Sequence, residues 1–185
     1  MNITSSSAIS ISKEASAENR ELPSTTMRWI TRERPKIDRV ACPWLISRFI
    51  DPEPEFVFVA PDEVITRAKE LDAIPYDVHS VELTHEGDLC SFDAFLKKYN
   101  LDEPELRYLA LIVRGADTDR HDLTPESGGL FAISLGLSDL HAGDDHAVLR
   151  DGFIVYDALY RWLKFCRREK HLWFPPNTSG SATVS

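Results

Sequence analysis

The sequence predicts an α/β (α+β) fold: a small N-terminal sheet of two or three strands and a helix-rich C-terminal half, with helices predominating. Three observations predict it. RWITRE (28–33) and EFVFVA (55–60) are short strand-like runs, the second aromatic and β-branched and bounded by prolines. Between them Trp44, Leu45, Phe49 and Ile50 recur at helical spacing, which gives strand, helix, strand. The half of the chain that follows is mainly helical in pattern. At 185 residues the chain is sized for one domain.

In order, the first strand leads to a helix whose proline, Pro43, suits a first helical position and would leave Cys42 at the cap. After the second strand Pro61 sits where another helix would start. Asp62 and Glu63 suit the positive end of its dipole, and Val64, Ile65, Ala68 and Leu71 form one stripe. IPYDVHSVEL (74–83) supplies a third strand or an extended loop. Ser91 can cap SFDAFLKKYN, closed by Asn100. EPELRYLALIVRG is a helix ending at Gly115, and Thr124-Pro125-Glu126 begins the next. HAVLRDG and VYDALYRWLKFCRREK finish the chain as helices, with Leu159, Tyr160, Leu163 and Cys166 on one face.

Residues 1–26 and 174–185 have the composition of disordered tails around a domain spanning 27–173. The N-terminal stretch lacks the basic start and apolar run of a signal peptide, and three cysteines cannot close a disulfide framework, so a cytoplasmic location is expected. No run is apolar enough to suggest a membrane span. A net charge of −9 argues against an extended nucleic-acid-binding face.

Three stretches carry candidate chemistry. In KIDRVACPWLISRFID (36–51) a thiol at a helix start would be favoured as thiolate by the helix dipole, with Arg39 and Arg48 adding positive charge. That arrangement suits an oxyanion, an activated sulfur, or both; the alternative is a small buried core thiol among solvated or paired charges. In THEGDLCSFDAF (84–95) His85 and Cys90 flank a glycine turn, with Asp93 in the next helix. These are ligand types for an open transition-metal site, or a turn and a helix start. In RGADTDRHD (114–122) Asp117 and Asp119 lie between Arg114 and Arg120; the carboxylates can converge on a cation or pair with the arginines. HAGDDH (141–146) offers two histidines and two aspartates, but Asp144 and Asp145 also read as a helix start.

Taken together, WITRERPKIDRVACPWLISRFIDP, GDLCSFDAFLKKY, IVRGADTD and VYDALYRW resemble the chromate-resistance (ChrB-type) C-terminal domain over nearly all of residues 28–165. The resemblance covers Asp38, Arg39, Cys42, Pro43, Trp44, Arg48, Phe49 and Asp51. It continues through Asp77, His85, Cys90, Phe92, Arg114, Gly115, Asp117, Asp119, Asp157 and Tyr160, while His79, His121 and Cys166 lie outside it. It implies a role associated with chromate resistance, in a family whose longer members are chromate-responsive regulators and some of whose members are joined to rhodanese-like sulfurtransferase domains. The additional N-terminal domain of those regulators is not expected here, and with it direct DNA binding.

The resulting expectation is a chromate-resistance domain that binds a metal ion or an oxyanion such as chromate. Arg39, Arg48 and Arg114 are the candidate oxyanion clamps, Cys42 and Cys90 the candidate redox thiols, and His85, Asp117 and Asp119 the candidate ligands of a divalent transition metal (zinc, iron or manganese). The alternatives are a thiol- or metal-dependent redox enzyme or sulfurtransferase partner, and a non-catalytic interaction module with a regulator or rhodanese-like protein as partner.

Overall fold

The computed structural model describes residues 26–170. The expected tails, residue 26 apart, lie outside the described residues, as do residues 171–173 of the expected domain.

Strand β1 (Arg28–Arg32) is the centre of a three-stranded parallel sheet, with β2 (Glu55–Val59) on one side and β3 (Ala73–Pro75) on the other. Parallel neighbours need a crossover. Helix α1 (Asp38–Leu45), continued by a π-helical turn over Ile46–Ile50, makes the first, and α2 (Val64–Leu71) the second.

Side chains of β1 alternate between the faces of the sheet. Trp29 enters the main core beside Phe95 and Tyr99, whereas Ile30 packs with Val64 and Ala68 of α2 on the opposite face. The main core is closed by α3 (Ser91–Tyr99), α4 (Pro104–Asp117), α5 (Ser127–Leu140) and α6 (Asp145–Arg161), which ends in a second π-helical turn over Trp162–Cys166. The expected class therefore holds, with helices in the majority.

Several boundaries differ from the expected ones. Helix α1 begins at Asp38, not Pro43, so Pro43 lies inside it and removes the N–H that would reach the carbonyl four residues back. Its entry is held instead from α6, where the buried Tyr156 hydroxyl donates to the Ile37 carbonyl at 2.8 Å. Pro61 to Glu63 form a turn before α2, and of the third run only Ile74 and Pro75 belong to a strand, which starts one residue earlier at Ala73.

Cys90, not Ser91, caps α3: its thiol and backbone N–H share Asp93 in a capping box, while Asn100 closes the helix in the left-handed region as expected. Helix α4 runs two residues past Gly115. A side chain there would meet Ser127 Oγ and the Arg120 carbonyl, at 2.8 Å, so this glycine serves close packing on α5, not a helix stop. Gly152 is its counterpart. The two expected C-terminal helices are one, α6, and its Gly152 faces α1, where a Cβ would lie 2.5 Å from Val40 Cγ1. Cys166 is exposed, and the buried face of α6 carries Tyr156 instead.

Candidate functional site

Four separate parts of the chain converge beside the C-terminal end of the sheet. Asp38 is the first residue of α1, where the unpaired N–H groups favour a carboxylate, and its side chain is 3 % exposed. Asp77 follows β3 in the left-handed conformation, φ 50°, and is also buried. His85 stands just before a tight turn in which Glu86 and Leu89 exchange both backbone hydrogen bonds around Gly87 and Asp88. Asp117 is the last residue of α4, carried into place by the two residues that follow Gly115.

Their atoms meet at the imidazole. His85 Nε2 lies 3.2 Å from Asp38 Oδ2, 3.2 Å from Asp117 Oδ2 and 3.5 Å from Asp77 Oδ1. Asp38, His85 and Asp117 offer one ligand atom each, all within 4.8 Å of one another. Ligands about 2.1 Å from one shared ion stand about 3.0–3.4 Å apart in octahedral or tetrahedral arrangement, a range that takes in the two contacts at His85 as it does long hydrogen bonds.

The charges around it are strongly coupled. Hydrogen bonds to Asp117 and Asp38 push the His85 pKa up from 6.5 to about 10. Burial raises the Asp38 carboxyl above the ordinary range, opposed by its bond to His85 and reinforced by Asp117. Asp77 is raised by burial and then by Asp38, although Arg32 Nη2 at 2.6 Å, Ser91 Oγ at 2.8 Å and Arg39 Nε at 3.3 Å all bind it. Crowded carboxylates around a histidine that holds its proton are a site short of positive charge.

The fold brings only some of the residues expected to hold a metal together. His85 and Asp117 come together, but Asp119 does not join them: its side chain is 94 % exposed and its partner is His121, at 3.9 Å. Asp38 takes its place, with Asp77 adjoining. Sequence reasoning missed both because a helix starting at Pro43 left Asp38 in the preceding loop, and because Asp77 lay in a stretch of undecided structure. Both are among the positions the family resemblance covers, although Asp77 lies outside the four stretches that carry it.

The two thiols sit differently from expectation. Cys42 is inside α1 and fully buried, not at its N-cap, and burial followed by the charge of Asp38 drives its pKa well above the thiol range. Cys90 does occupy a helix cap, yet burial and then Asp38 raise its pKa too. Neither is a ready thiolate.

Nor do the three expected clamps converge. Arg39 binds Asp77 and the carbonyls of Arg32 and Glu33. Arg114 grips Asp93 with two bonds of 3.0 and 2.6 Å. Arg48 grips Asp157, which also accepts from Trp44 Nε1 at 2.7 Å. Trp44 and Arg48 of the 36–51 stretch thus fasten α1 and its π-helical turn to α6.

Fold and site together define a helix-rich α/β domain with a half-buried carboxylate–histidine cluster at the C-terminal end of a short parallel sheet. Residues 29–163 match the family model described as "ChrB, C-terminal domain", and the chain belongs to that family, which is a chromate-resistance family. It is 34% identical over 134 residues to "Protein ChrB" of Cupriavidus metallidurans, a match covering 72% of this chain and 40% of that protein. The chain thus spans less than half the length of the relative. No solved structure matches it. Among the described residues, no helix is long and apolar enough to cross a membrane.

Proposed function

We propose that this chromate-resistance domain is a metal-binding domain in which Asp38, His85 and Asp117 hold a divalent transition ion, zinc, iron or manganese, with Asp77 beside it. The observation that carries the reading is the pair of 3.2 Å contacts from His85 Nε2 to carboxylates on two different helices. Two carboxylate oxygens and one imidazole nitrogen are ligand types that all three ions accept, and burial raises the pKa of the nearby Cys42 and Cys90 thiols, which disfavours them as ligands. His85 is 40 % exposed, so one side of the cluster is open to a ligand from solvent. A bound ion would act there as a Lewis acid and as the anchor for that ligand.

Around the ion the chain's own groups divide the work. Asp38 and Asp117 fix the imidazole from opposite elements. Arg32 and Arg39 hold Asp77 in place and limit the negative charge of the cluster. The role in chromate resistance follows from this domain sensing or handling chromate through the metal-bearing face, within a longer assembly or beside a regulator or rhodanese-like partner. A thiol-based redox enzyme draws less support, since both buried thiols have their pKa raised.

The test is metal analysis of untagged protein after reconstitution with zinc, iron or manganese, wild type against Asp38→Asn with Asp117→Asn. Near-stoichiometric metal that disappears in the double variant, with the circular dichroism spectrum retained, is the expected result. Wild-type protein that takes up none of the three ions overturns the reading. Growth of cells on chromate with either form then asks whether the metal matters to resistance.

A further inference from the structure

Helix α5 carries its apolar residues outward. The residues it buries are Ser127, Leu130 and Ser134, two of them serines, whereas Ile133 is 49 % exposed and Leu140 72 % exposed. Helix α4 beside it shows the ordinary arrangement, burying leucine, isoleucine, valine, alanine and glycine. Residues 127–138 of α5 include no charged side chain, in a chain of which 28% is charged. A helix apolar around its whole circumference is ordinarily enclosed on every side. This one is covered on one side.

Its glycines point the same way. Gly115 and Gly152 lack a side chain because another segment stands where a Cβ would go, but a Cβ at Gly129 or Gly136 would meet nothing within 4 Å. Gly136 lies in the middle of α5, where glycine costs about 1 kcal/mol relative to alanine. No contact among the described residues offsets that cost. Along the helix, Gly129, Ile133, Gly136 and Leu140 fall on one exposed strip, with Ala132 at its edge. Large side chains and gaps share the strip in equal number.

We infer that a second copy of this chain docks on the strip, with the two α5 helices packed antiparallel about a twofold axis at the level of Ser134 and Leu135. That axis sets Ile133 of each copy over Gly136 of the other and Leu140 over Gly129, so every large side chain meets a position that has none. A twofold contact requires such self-complementarity. The charges agree with it. Between Glu126 and Asp139 nothing charged repels the copy, and the antiparallel helix dipoles attract. Each exposed Asp139 reaches the first turn of the other helix, which has neither an acidic residue nor a side-chain cap of its own. The face is about 21 Å long, at the small end of specific interfaces, so the dimer is weak and forms with rising concentration. None of these residues belongs to the carboxylate–histidine cluster, and the contact does not depend on a bound metal.

The experiment is sedimentation equilibrium of the full chain from micromolar to near-millimolar concentration, wild type against Ile133→Glu with Leu140→Glu and against Gly136→Ala. Expected is a monomer–dimer equilibrium in the wild type that the double variant abolishes over the same range. The circular dichroism spectrum and Tm of the double variant stay close to wild type at the dilute end, because both side chains are exposed. Gly136→Ala separates the contact from the helix itself. Its methyl group meets nothing in the monomer, so Tm at the dilute end rises. Dimerisation weakens about tenfold, since the methyl group takes the space that Ile133 of the other copy fills. A wild-type monomer at every concentration, a dimer that the double variant retains, or one that Gly136→Ala retains at wild-type strength each overturns the inference.

Discussion

His85 and His141 both bind carboxylates, and they teach opposite lessons. His141 Nε2 lies 2.7 Å from Asp151 Oδ2, closer than any contact His85 makes. Yet Asp151 is also held by Arg150, which is the main cause of its lowered pKa, while Asp144 is spent capping α6 and Asp145 accepts from the Arg34 backbone. His85 has three carboxylates from three places in the fold, two of them buried almost completely. Convergence and burial separate a candidate metal centre from a surface ion pair; a short distance does not.

The largest effect that would break this contrast concerns the ligands themselves. Replacing Asp38 and Asp117 together by asparagine should weaken metal binding beyond about 100-fold, since loss of outer-shell partners alone costs 10–100-fold. Competition against a chromophoric chelator reads it, and His141→Ala in the same assay should leave affinity unchanged. If the two variants behave alike, convergence is not the deciding property.

A second effect is mechanical. Gly115→Ala should destabilise by about 1–3 kcal/mol, several degrees in Tm, because its methyl group would meet Ser127 and the Arg120 carbonyl. Gly152→Ala should cost less, as only the Val40 side chain stands in its way and can shift. Thermal melts of the metal-free proteins compare them directly, and Gly115→Ala should also loosen the metal because the end of α4 carries Asp117.

A third concerns pH. The His85 pKa is raised from 6.5 to about 10, so the stability it lends the metal-free fold is complete below about pH 6.5 and is lost as pH climbs through about 10. Over the same interval protons compete with the ion, so metal affinity should rise with pH. Denaturant titrations of wild type and His85→Gln at several pH values should converge at the alkaline end. The smallest effect is expected at His141→Ala, within about 1 kcal/mol of wild type, as for other partly exposed pairs.

Much of the fold was legible from periodicity. The runs at 28–33 and 55–60 are strands, and the apolar spacing from Trp44 onward is helical. What misled were the punctuation residues. Pro43, Gly115 and Gly152 read as helix boundaries because proline lacks an N–H and glycine often ends helices. Here each lies within a helix, the two glycines where another helix, or the turn after α4, comes too near for a side chain. Close approach is a property of two segments distant in sequence, and one local window cannot show it.

The site divided along the same line. His85 and Asp117 stood in stretches whose residue types suggested ligands, so they were found. Asp119, two residues from Asp117, looked equivalent in sequence but points to solvent from a residue with φ 56° just past the helix. Asp38 was hidden by the misplaced helix start, and the Cys42 thiolate followed from the same error.

The cluster draws its residues from positions as far apart as the start of α1, the loop 47 residues on and the end of α4. Such a site does not exist until the sheet, that loop and two helices have docked, so it is assembled late on any folding route. An ion bound there would leave the rate of folding almost untouched and act on the way out, slowing the unfolding of a molecule already made. Its contribution would be lifetime.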